Sequence, residues 1–254
     1  MRTAISPMLV RLAEERATGV LIRERGTLYL ADGQVVHAES PAAPGIDDLL
    51  VAAGRLPRAG WEEAVARAGA RRTVGRFLVD SGRLADGELE ICHLGALFDA
   101  AFFALSPSSG PTRFRYGVSH WIGPVRPVPA AVVARESSRR RALLAAIWPY
   151  PDIDSAPVVP RAPTADRRIP DRQRGVLSLA DGVRTPEAIA RALGRPAFHT
   201  LIEVRRLAAS GLVETPAAPT PPPAPPSPVP LAGHYADPDT ALLRRLRDAL
   251  EESL

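Results

Sequence analysis

The sequence contains no lysine: all 32 of its basic residues are arginine. That absence excludes the phosphate-loop ATPases, the protein kinases, Schiff-base enzymes and Ser-Lys hydrolases, each of which needs a lysine amine at its centre. One cysteine, Cys92, excludes an intramolecular disulfide framework. Its place in an apolar helical stretch reads as a small buried hydrophobe rather than a reactive thiol. No uninterrupted run of roughly 18 apolar residues occurs, and Met1–Val10 lacks the charged start and apolar core of a signal peptide. The expectation is a cytoplasmic chain without a membrane partner.

Catalytic signatures are equally scarce. No Gly-x-Ser-x-Gly elbow is present. His37-Ala38-Glu39 matches half of a zinc deaminase signature, but no Pro-Cys-x-x-Cys accompanies it, so both read as ordinary strand-end residues. The histidines at 37, 93, 120, 199 and 234 show no metal-ligand spacing. Asp152 and Asp154 could pair as carboxylates, yet they lie in a proline-rich loop and read as solvated turn residues. Sequence alone therefore nominates no catalytic residue, no cofactor and no metal site, and points away from an enzyme.

A sequence pI of 9.9 overstates the basic character, because the net charge is only +4. Arginine stays charged beyond about pH 12 while tyrosine titrates near 10, so a small arginine excess holds the neutral point high. The surplus falls between residues 135 and 174, where Arg139, Arg140, Arg141, Arg161, Arg167, Arg168, Arg172 and Arg174 lie. These arginines form a modest basic stripe that could meet phosphate or simply stay solvated.

Local chemistry orders the rest. Ser6-Pro7 starts a helix that carries Leu9, Leu12 and Ala13 on one face. Three β-prone runs follow: Val20–Ile22, Leu28–Leu30 and Val35–Ala38. The Asp32-Gly33 pair between the last two is a strong hairpin signal, because the tight turn needs residues that tolerate positive φ. Helical patterns then cover 46–53, 60–68, 73–81 and 86–105. Phe114 and Tyr116 suggest a returning strand, and 129–147 a further helix. The expected class is α+β: an N-terminal antiparallel meander of three to four strands with helices over 1–148. A proline-rich connector over 149–170 precedes a mostly helical, winged-helix-like domain over 171–215. A proline-rich, extended tail at 216–236 leads to a short amphipathic helix over 237–254.

In that helical domain Thr185 caps a helix opened by Pro186 and closed by Gly194, and a longer helix runs from Ala197 to Ser210 before the strand Leu212–Glu214, to which Val183 is a candidate partner. The spacing suits a winged-helix module, although the wing hairpin itself is missing. Phe198, Leu201, Ile202, Val204 and Leu207 form its inward face. His199, Thr200, Glu203 and Arg206 would face outward, with Arg205 at the flank. The candidate DNA contacts are thus His199, Thr200, Arg205 and Arg206, backed by Arg167, Arg168, Arg172 and Arg174. Leu242, Leu243, Leu246 and Leu250 form an apolar stripe for a protein partner.

The runs Leu9–Leu21 and Gly26–Glu39, extended by Val74–Leu84 and Thr112–Tyr116, resemble the PatA-type N-terminal domain, a bacterial regulatory family. Leu177–Gly194, continuing to Ser210–Glu214, is similar to the winged-helix module that often follows it. The arrangement resembles putative transcriptional regulators of high-GC Gram-positive bacteria, some under a nosiheptide-resistance regulatory label. The resemblance implies signalling through transcriptional control and supplies no catalytic residues. Two readings stay open: a regulator that binds DNA through the second module, and a protein-interaction adaptor that never touches DNA. Association into oligomers is compatible with either.

Overall fold

The computed structural model describes residues 6–161 and 169–214. Its class is α+β, as expected. Helix α1 (Pro7–Glu14) opens on proline and buries Leu9 and Leu12. Strands β1 (Gly19–Arg23), β2 (Gly26–Ala31) and β3 (Gln34–Glu39) form the expected meander. Asp32 and Gly33 turn β2 into β3 with φ of 51° and 76°, the left-handed pair that matches strand twist. Arg16 clasps Asp32 with two bonds of 2.7 and 2.6 Å.

Four helices come next: α2 (Ile46–Ala52), α3 (Arg58–Ala68), α4 (Val74–Asp80) and α5 (Asp86–Ala104). Strand β4 (Arg113–Tyr116) pairs with β1, and the two-residue β5 (Val128–Pro129) pairs with β3, giving the antiparallel order β4-β1-β2-β3-β5. β5 has no counterpart in the sequence reading, because two residues carry no periodicity. Helix α6 (Ala130–Ile147), a short 3-10 turn at Pro151–Asp154, α7 (Asp171–Leu177), α8 (Pro186–Leu193) and α9 (Ala197–Ala209) complete the described elements.

α5 organises the molecule. Every residue from Asp99 to Ala104 on it is buried, the mark of a helix surrounded on all sides. One core joins Leu21, Leu28 and Leu30 of the sheet to Leu97 of α5 and Val133 of α6, and it includes Phe198 and Leu201 of α9. A second lies among α2 to α5 around Trp61, Leu78 and Leu89. A third gathers Val176, Ile189, Val204 and Leu207.

That third core also holds Ile153 and Val158, so the stretch expected as an extended connector contributes packing residues over 149–161. Val158, Val159 and Arg161 exchange backbone hydrogen bonds with 182–184 on one side and 212–214 on the other. The candidate pairing of Val183 with Leu212–Glu214 is therefore indirect, through this inserted segment. The described residues fall within one compact unit. The tail at 216–236 and the helix at 237–254 fall outside the described residues. No helix among those described is long and apolar enough to cross a membrane.

Candidate functional site

Strand register builds the site. Thr27 and Tyr29 of β2 stand opposite Glu39 and His37 of β3, and cross-strand partners share a face. A bulge between Tyr29 and Leu30 makes Val36 the extra residue, which locally turns the strand. α5 delivers His93 to this face, and the loop before β5 delivers His120.

Three histidines far apart in sequence thereby form one nest, all buried. His37 Nδ1 lies 3.3 Å from His93 Nε2. The His37 and His120 rings stack with centroids 3.9 Å apart and planes 21° apart. His120 Nε2 is 3.0 Å from Glu39 Oε1, and Tyr29 donates its hydroxyl to Glu39 Oε2 at 3.0 Å. The Ile122 amide donates to His120 Nδ1 at 3.3 Å. A neutral ring that accepts at Nδ1 carries its proton on Nε2, so His120 donates to Glu39.

Electrostatics follow from burial. Desolvation, reinforced by His120 and His93, holds His37 well below the ordinary histidine range. Burial lowers His93 to about 4. The Val36 backbone partly opposes that shift, although nothing described meets hydrogen-bond geometry at His93 Nδ1. The His120 hydrogen bond is the main reason Glu39 lies below the usual carboxylate range. Burial and then Glu39 raise the Tyr29 phenol to about 12. Two neutral imidazoles beside an ionised carboxylate offer lone pairs and negative charge together.

The nest opens on a cavity of about 490 Å³ that His37, Glu39, His120, Thr27, Ile46 and Trp121 help to line. Glu24, Asp47 and Arg23 also border it, so its wall carries three carboxylates against one guanidinium. Arg23 is itself engaged with the Ala104 carbonyl at 3.0 Å. Ligand atoms of His37, Glu39 and His120 lie within 4.8 Å of one another, near enough for a side-chain rotation to bring all three to one ion, whose bonds are about 2 Å long. Sequence reading dismissed these residues because the spacing is non-local. The one usable signal was His37-x-Glu39, an alternating pair that a strand places on the same face.

The second module is placed differently from the sequence reading. Nine of the thirteen residues of α9 are buried, Thr200, Glu203 and Arg205 among them. The expectation of an outward Thr200 and a flanking Arg205 is corrected, because α9 is covered on two sides. Arg205 donates to both oxygens of Asp154 at 2.8 and 2.6 Å and to the Trp148 carbonyl at 2.5 Å. Asp154 is accordingly an ion-pair partner and not a solvated turn residue.

At the other end, Asp99 of α5 accepts the Ala197 and Phe198 amides at 2.5 and 3.1 Å, satisfying the open N-terminus of α9. Arg140 pairs with Asp99 at 3.0 Å and lies 4.5 Å over the Phe198 ring. Burial pushes the Asp99 carboxyl up while Arg140 and the two amides pull it back. Arg141 is half-buried and reaches the Phe102 and Leu105 carbonyls. Of the triplet from 139 to 141, Arg139 alone is solvated, bound to Glu136.

What remains of the proposed DNA contacts is a cleft of about 420 Å³, where His199, Arg206 and Arg172 join Arg195. Arg206 is paired with Glu203 at 2.9 Å, and Arg174 with Asp171. Arg167, Arg168 and the leucines at 242, 243, 246 and 250 lie outside the described residues. The chain matches no protein-family model, no curated protein and no solved structure.

Proposed function

We propose that the chain is a non-enzymatic regulatory protein that works by binding, and that its output is docking to another protein. The observation that carries this reading is the double anchorage of α9, by Asp99 at its start and by Asp154 through Arg205 near its end. A recognition helix must offer a continuous exposed face to enter a major groove. α9 offers His199, Arg206 and Ala209. The adjoining cleft is concave and basic at its rim, with Glu203 inside, which suits an acidic side chain of a partner better than a phosphate row.

A second reading, transcriptional control through direct DNA contact, draws support from Arg172, Arg195 and Arg206 around one cleft. Fluorescence anisotropy of the full chain against genomic DNA fragments at several salt concentrations decides between them. Docking to protein predicts only weak, sequence-indifferent binding that Arg206→Ala barely alters. A sequence-selective complex tighter than about 0.1 μM at physiological salt, the range of specific DNA binders, overturns the adaptor reading.

A further inference from the structure

We propose that the histidine cavity is a binding site for a single divalent transition-metal ion of the zinc class, held by His37, Glu39 and His120. The inference extends the regulatory reading by giving the sensor module an input, and it stands or falls separately from the choice between DNA and protein output.

The donor set is the first argument. Two imidazoles and one carboxylate suit zinc, copper, nickel or iron, whereas magnesium and calcium prefer oxygen donors alone. The three residues bring ligand atoms within 4.8 Å of one another on the wall of a cavity that leaves room for a water or a small ligand beside the ion.

The surroundings match what metal ligands need next to them. A ligating histidine uses one nitrogen for the ion and binds a partner with the other. His37 does so with Nδ1 against His93 Nε2, which leaves its Nε2 for another partner. Tyr29 holds the far oxygen of Glu39 and so fixes the carboxylate. Glu24 and Asp47 add negative charge to the same cavity, which draws a cation inward. His93, fully buried, meets no hydrogen bond of good geometry at Nδ1 and has only the Val36 backbone to support it there.

Stacked rings direct their lone pairs side by side and not to a common point, and the His120 Nε2 proton is spent on Glu39. Loading therefore requires the His120 ring to turn and its remaining proton to sit on Nδ1, which gives up the long 3.3 Å contact with Ile122. The Glu39–His120 hydrogen bond is replaced by coordination. Trp121, whose ring centroid is 4.7 Å from that of His120, sits beside the part that moves and reports the change.

The test uses the full chain without a polyhistidine tag, stripped with EDTA, and titrated with Co2+ and separately with Zn2+. Visible Co2+ absorption and tryptophan fluorescence are followed. The expected result is one ion per chain with a Kd tighter than about 100 μM, Co2+ bands displaced by Zn2+, and no response to Mg2+. Glu39→Gln and His120→Asn should each abolish the bands. Tyr29→Phe, which keeps all three donors, should weaken binding by about 10-fold, the usual effect of losing a hydrogen bond to a ligand. Thermal melts in EDTA verify that each variant is folded, and Tyr29→Phe supplies the reading should a ligand variant fail to fold. Absence of Co2+ bands, or binding that Glu39→Gln and Tyr29→Phe both leave unchanged, overturns the proposal. Neither result bears on whether α9 binds DNA.

Discussion

Two buried polar clusters in this chain have opposite character. At the seam between α5, α6 and α9, the Asp99 and Arg205 side chains are saturated by close, charge-assisted partners, while Arg141 Nε and Trp148 Nε1 beside them have none. On the sheet face, the histidine nest is left incomplete beside a cavity: neither His93 Nδ1 nor Thr27 Oγ1 has a hydrogen bond of good geometry, with the Val36 backbone near the first and Glu39 and Tyr29 near the second. Burying a polar group without a bond costs roughly 1–3 kcal/mol. The difference lies in the charged members and in the surroundings: Asp99 and Arg205 are tied down on all sides and fix geometry, whereas the nest borders a cavity, where the proposed ion would bind.

The most damaging way to break the saturated cluster is Asp99→Ala. It leaves the Ala197 and Phe198 amides without acceptors and Arg140 with Glu136 as its remaining acid. Removing one member of a buried pair costs about 3–5 kcal/mol, so the thermal midpoint should fall by roughly 6–20 °C, at about 2–4 °C per kcal/mol for a unit of this size. A midpoint that stays put would show that α9 is held by apolar packing alone.

The incomplete cluster should instead respond to pH. In the unfolded chain both rings take up protons as pH falls through about 6.5. In the folded chain His93 stays neutral down to about 4 and His37 is held well below its ordinary value as well. The unfolded state then binds more protons, so stability falls as pH drops through this window and is fully present above about 6.5. His93 alone accounts for up to about 3 kcal/mol at 1.36 kcal/mol per pKa unit. Urea melts in EDTA between pH 7 and pH 4 measure the slope, and His93→Gln should flatten it.

A smaller effect tests the seam between the two halves. Gly194 closes α8 at φ 59°, and an added Cβ there would come 2.1 Å from the Ala52 Cβ. Gly194→Ala combines the left-handed penalty of about 1 kcal/mol with this steric conflict, for a total of about 2 kcal/mol. Chemical denaturation gives the figure. A neutral substitution would mean that α8 and α2 part easily.

Local chemistry made most of the fold legible. The Asp32-Gly33 turn, the Thr185–Pro186 start and the Gly194 stop each state their conformation within two or three residues, and the structure places each where expected. The surroundings of α9 were not legible. Hydrophobic periodicity identifies a helix's apolar face but says nothing of a second face buried through ion pairs, and Asp99 and Asp154 lie far from Arg205 in sequence. The same holds for the nest, whose histidines come from β3, α5 and a loop. Only the alternation of His37 and Glu39 was local, and alternation alone is common in any half-buried strand.

The two borders of the sheet have a consequence for behaviour at high concentration. β4 presents Arg113 and Arg115 to solvent, and β5 is two residues long and ends in Pro129, which has no amide hydrogen to donate. Charge on one rim and a missing donor on the other deny an incoming strand a template. The chain should resist fibrillar self-assembly even though its middle three strands are among its most apolar segments.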